Sequence, residues 1–202
     1  MALLTSQRRY RVALDLLDGI PDTPENFSIG EPKALLQANL YRRMGDPARA
    51  QPLFRQARPK LRAQLAARAG SLFNQAYTWS GIAEAELSLG RTKAGLAAIA
   101  NSQALIERSG DHLYGPEAME SNAALYAQAG RADLAVPLLV KALATPGIGL
   151  YYSPLMLWIS PAWDPIRHDS RFQALLTKYA KYQFAVIPAS PPSAGTDNIH
   201  GG

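Results

Sequence analysis

The densest group of residues able to do chemistry is WDPIRHDSRF, 163–172, where His168 stands between Asp164 and Asp169. A histidine beside a carboxylate can take up and return a proton near neutral pH, so the stretch reads as a conceivable acid–base pair. A hydrolase would also need a nucleophile or a metal. The sequence has no GxSxG nucleophile turn, no GxxxxGK[ST] and no GxGxxG. Its three histidines, His112, His168 and His200, form neither HxxxH nor HExxH spacing. It contains no cysteine, which excludes disulfides and thiolate metal sites. The simpler reading is that the aspartates cap helices, the arginines cover apolar surface and His168 sits near a helix end. The expectation is a non-enzyme with no catalytic, cofactor-binding or metal-binding residues; an enzyme using the His168 region is the weaker alternative.

Charge points elsewhere. Residues 1–70 hold 12 lysines and arginines against 6 acids, whereas residues 71–202 hold 9 against 10. Arg8, Arg9, Arg11, Arg42, Arg43, Arg49, Arg55, Arg58, Lys60, Arg62 and Arg68 carry the excess. A basic third could face nucleic acid, and a basic helical repeat bound to it is the runner-up reading. It ranks lower because no aromatics interleave the arginines as a stacking surface. No run of about 18 apolar residues is present, so no transmembrane helix is expected. The opening MALLTSQRRYRVALDLLDGI lacks the order of a secretory signal, since its charges follow the apolar stretch.

Such groups must be positioned by helices, because Ala and Leu are abundant and aromatics few. Gly45, Gly90 and Gly130 each separate two apolar periodic stretches, as in a helical hairpin. Seven residues before each glycine stands Ala38, Ala83 or Ala123, and five after stands Ala50, Gly95 or Ala135. Only small side chains fit where two helices cross closely. Nine after stands Phe54, Ile99 or Leu139, and twelve after stands Ala57, Ser102 or Ala142. Four before stands Tyr41 or Tyr126, but Glu86 breaks the pattern in the middle unit.

This small–large–small set, thrice repeated over roughly residues 31–146, resembles the tetratricopeptide repeat. The glycine spacings of 45 and 40 residues exceed the family's 34, so the helices or loops must be longer. RQARPKLRAQLAARAG suggests a long second helix in unit one, bent at Pro59. The resemblance implies an all-α, right-handed superhelical solenoid of hairpins with C-terminal capping helices. Residues 1–30 read as a partial N-terminal repeat and loop, with Ala13, Leu17 and Ile20 on a helix whose partner would precede Met1. Residues 31–148 are three hairpins, 149–183 a capping segment and 184–202 a disordered tail rich in Pro, Ser and Gly.

In the capping segment, Leu157, Pro161, Trp163, Asp164, Pro165, Arg167, Asp169, Arg171, Phe172 and Leu175 resemble the close of tetratricopeptide regions in large bacterial regulators. In those proteins the repeats follow a winged-helix, kinase or nucleotide cyclase domain. Asp164 and Asp169 read as N-caps, and Trp158, Trp163 and Phe172 as packing on the third hairpin. The resemblance implies a protein-binding scaffold serving signal transduction or transcription regulation. It would be cytoplasmic if free-standing, or periplasmic if it ends a membrane-anchored regulator.

The first helices of the units should line the concave side. Helical phase places Asn39, Arg42 and Arg43 there from unit one, Tyr77, Ser80 and Glu84 from unit two, and Glu117, Glu120 and Gln128 from unit three. Some family members clamp a partner's terminal carboxylate with Lys, Arg and Asn; here unit three supplies glutamates instead. The expected ligand is a protein segment on an apolar floor that includes Leu35 and Leu36, in a groove basic at one end and acidic at the other. An exposed N-terminal helix, apolar near Ala13 and Leu17, offers a possible homodimer contact.

Overall fold

A computed structural model describes residues 2–23, 26–27, 31–67, 71–145 and 154–182. The expected tail, 184–202, and Arg68 lie outside them. Among the described residues the chain is all-helical, without a strand. Its helices are α1 (Ala2–Ser6), α2 (Tyr10–Asp18), α3 (Lys33–Arg43), α4 (Pro47–Ala67), α5 (Leu72–Ser88), α6 (Thr92–Ser109), α7 (Gly115–Gln128) and α8 (Ala132–Ala144). Then follow α9 (Met156–Ile159), a 3-10 turn (Pro161–Ile166) and α10 (Ser170–Lys178).

The three glycines are where the chain reverses. Gly45, Gly90 and Gly130 have φ of +74°, +75° and +70°, a region closed to most side chains. The next residue's N–H reaches back to a carbonyl five positions earlier: Asp46 to Tyr41, Arg91 to Glu86 and Arg131 to Tyr126, at 2.8–2.9 Å. This bond closes each helix end as a Schellman cap. The pairs α3–α4, α5–α6 and α7–α8 therefore pack as hairpins. The extra length of the period goes into α4, 21 residues, and α6, 18 residues, against 13 in α8. Pro59 lies inside α4 without ending it, as Pro52 does.

The small residues meet at the crossings. Ala38, Ala50, Ala83, Ala123 and Ala135 are all buried. A Cβ on Gly95 would stand 2.6 Å from the Leu87 side chain and 3.3 Å from the Ala83 carbonyl, so even alanine is too large there. Phe54, Ile99 and Leu139 fill the space beside these contacts. Glu86, the break in the pattern, is buried with its carboxylate 2.8 Å from both Arg58 Nε and Nη2 on α4 and 3.5 Å from Arg91 Nη1. Where units one and three place a tyrosine, unit two holds a charge neutralised by the preceding hairpin. Across α5, α6 and α7, Ser80 donates to Asn122 Oδ1 (2.9 Å), Asn122 Nδ2 to Ser102 Oγ (3.1 Å) and Ser102 to Ser80 Oγ (3.0 Å). That arrangement uses each of those protons once.

Both ends differ in part from expectation. Ala13, Leu14 and Leu17 are buried against Leu40, Leu36 and Tyr41, so no open apolar surface remains at Ala13 and Leu17. The exposed apolar residues of the N-terminal helices are Leu3, Val12 and Leu16. At the other end, Leu157, Trp163, Ile166, Phe172 and Leu175 form one core with α7 and α8, with Trp158 packed beside it. Asp169 caps α10 by accepting from Arg171 N at 2.9 Å. Asp164 is not an N-cap: it lies within the 3-10 turn, which Ser160 caps, and its carboxylate binds arginines instead. Arg167 fastens the segment by donating to the carbonyls of Leu157, Trp158 and Ser160 at 2.9–3.3 Å.

Candidate binding site

The inner helices α3, α5 and α7 share one concave surface, and the C-terminal segment roofs it. The 3-10 turn runs along α7 and sets Pro161, Ala162 and Pro165 opposite Arg42, Tyr77, Ser80 and Gln128. This leaves two adjoining spaces. One, of about 220 Å³, lies between the inner helices and the turn. The other, of about 530 Å³, reaches from Asn39, Arg43, Glu84 and Glu120 to Thr5, Phe27 and Met156. The larger lies within the range of small-ligand pockets, roughly 300–1,000 Å³. A clasp joins the chain across this region: Arg8 Nη2 donates to Asp164 Oδ2 at 2.8 Å and Oδ1 at 3.1 Å. Arg8 adopts a left-handed φ of +56°, the one described non-glycine residue to do so.

Eight of the nine expected groove residues line these spaces: Asn39, Arg42, Arg43, Tyr77, Ser80, Glu84, Glu120 and Gln128. Glu117 lines neither. Several of these side chains also have structural work. Ser80 belongs to the hydroxyl–amide ring above, and Gln128 donates to Ser88 Oγ at 3.0 Å. The expected basic-to-acidic polarity is corrected by pairing. Arg42 stands 3.7 Å from Glu84, one helix over, so its charge is largely met within the wall.

What remains is an excess of carboxylates. The larger space is lined by Glu31, Glu84 and Glu120 against Arg43. Burial pushes the Glu120 carboxyl up to about 8, helped by repulsion from Glu117. Glu117 is likewise raised by burial. Glu31 keeps an exposed side at the rim, yet crowding by protein atoms and repulsion from Glu84 and Glu117 raise it too. The Tyr77 phenol is raised by burial and by the same glutamates. Among the described residues, no donor or cation bonds the Glu31, Glu117 or Glu120 carboxyls.

Sequence reasoning missed Glu31, which sits before α3 outside any helical period, and missed that residues 156–165 form a wall. The aromatic content of 157–163 signals burial but not the surface it covers. The histidine reading gains nothing from the geometry: Asp164 is held by Arg8 and by Arg167 (3.0 Å), Asp169 by Arg171 and the helix end, and His168 is exposed. The basic stretch is partly spent as well. Arg8, Arg42, Arg49, Arg58 and Lys60 pair with Asp164, Glu84, Asp46, Glu86 and Asp22. Comparison with protein-family models, with curated proteins and with solved structures finds no match for this chain.

Proposed function

We propose that this chain is a non-catalytic binding module of the tetratricopeptide type, which holds a segment of a partner protein against α3, α5 and α7. The observation that supports it most directly is the convergence of eight polar or aromatic residues, from three successive hairpins, on space that the protein leaves unfilled. Side chains chosen only for stability would fill such space, because interiors pack to crystal-like density. In this reading the module is the sensory part of a larger bacterial regulator, serving signal transduction or transcription control. The nucleic-acid reading ranks second, since Arg8, Arg42, Arg49, Arg58 and Lys60 answer acidic residues of the same chain.

The test is a displayed peptide library selected on the purified chain, with bound peptides mapped by crosslinking. The reading expects peptides that crosslink to residues of α3, α5 or α7 and that lose affinity at least tenfold on Arg43→Glu. Peptides that crosslink only to the outer helices α4, α6 and α8 would refute it.

A further inference from the structure

We propose that the larger space beneath the C-terminal segment is a receptor for a protonated primary amine carried on an apolar stem. The assignment deepens the binding reading above and rests on the same cavity. It starts from Glu120, on the inner helix α7. This side chain is half-buried in the cavity wall, and no described residue donates to its carboxyl. A carboxyl crowded by protein gives up part of its hydration, and a charged donor that joins it there gains more than one in open water. Glu86, more deeply buried on α5, shows what this fold does when a carboxylate is structural: two arginines meet it. Among the described residues none meets Glu120, so its carboxyl is open to a donor that enters the cavity.

The chemistry of the walls narrows the donor. Glu84, Glu31 and one cation, Arg43, line the same cavity as Glu120, and Leu17, Ile20, Phe27, Leu36, Leu40 and Met156 line it too. An ammonium group offers three donors and a full positive charge, which suits two or three separated carboxyls. A divalent cation fits less well: no group of three described carboxylates or histidines is gathered as a metal requires. The apolar part calls for methylenes behind the charge, as in a lysine side chain or an alkylamine, since a buried stem gains from leaving water. A cation arriving beside Glu120 would also favour its ionised form. The titrating or charged groups around it are Glu31 and Arg43 at α3, Glu84 and Tyr77 on α5, and Glu117 on its own helix. Amine binding near neutral pH should therefore expel a proton.

The experiment titrates the full chain with n-hexylamine and with 1-hexanol, its neutral counterpart. A parallel arm uses the peptide acetyl-Leu-Lys-Leu-amide and its norleucine analogue. Calorimetry in two buffers of different ionisation enthalpy counts protons released at pH 7. The expected result is saturable binding of at least one amine probe, no binding of its neutral counterpart, and proton release. Affinity should fall at least tenfold in Glu120→Gln, and also in Glu31→Gln should Glu120→Gln misfold. Binding of hexylamine alone identifies a small-molecule amine, and binding of the lysine peptide alone identifies a protein side chain. Equal binding of charged and neutral probes, no binding of either, or affinity unchanged in both variants overturns the assignment. The general scaffold reading is judged separately, by library peptides that still crosslink to the inner helices of Glu120→Gln.

Discussion

Glu86, buried on α5, and Glu120, half-buried on α7, are treated in opposite ways. Glu86 is wrapped by Arg58 and Arg91, in a contact that ties the first hairpin to the second. Glu120 has empty space before it and another carboxylate, Glu117, one helical turn away. A buried ion pair is an arrangement that folding alone can explain; a half-buried carboxyl with no described partner beside a cavity is not. The pair therefore separates a charge answered within the fold from one that faces open space.

The largest expected effect comes from breaking the answered pair. Arg58→Ala leaves the Glu86 carboxylate to Arg91 alone and should cost about 3 kcal/mol of stability, read as a lower denaturant midpoint. Glu120 should behave in reverse. It keeps its proton in the folded protein up to about pH 8, whereas in the unfolded chain it releases it near 4.5. Folding thus takes up a proton between those values, and stability falls as pH rises through that window. Urea unfolding at pH 5 and pH 9 should show wild type losing on the order of 3 kcal/mol more than Glu120→Gln. Equal pH slopes would place Glu120 in the same class as Glu86.

Smaller effects sharpen the contrast along one helix. Ala123 lies three residues beyond Glu120 but on the packed side of α7. Ala123→Leu should overpack the α7–α8 crossing and cost roughly 2 kcal/mol in thermal or chemical denaturation. The smallest effect belongs to a charge pair left in water. Arg8→Ala removes the partly exposed bond to Asp164 and should lower stability by less than about 1 kcal/mol, a difference that shrinks further in high salt.

The hairpins were legible because their rules are local. A glycine needing positive φ, and alanines at fixed distance on either side, can be read from one sequence without knowing its partners. The inner face followed from the same phase, and eight of the nine expected groove residues line the two spaces. What the sequence hid was long-range. Glu86 looked like a defect in the repeat because Arg58, its answer, lies 28 residues earlier on another hairpin. Asp164 looked like a cap because Asp before Pro often is one; its partner Arg8 is 156 residues away. The cap's cover of the third hairpin was visible in Trp163 and Phe172. Its second face, roofing the cavity, depends on how three hairpins stack, and stacking angle leaves no mark at any single position.

The contact between Arg8 and Asp164 also bears on the order in which the molecule is built. Each hairpin closes a short loop and can form early, because nearby segments meet at low entropic cost. A bond between residues 156 apart must await them all. The cavity needs residues from both regions that this bond joins, so it is assembled late, by the closing of a ring rather than by the stacking of one more unit. Any occupant of that space can bind only the finished fold. Its binding would then be felt as cooperativity across the whole chain, by mass action on the native state.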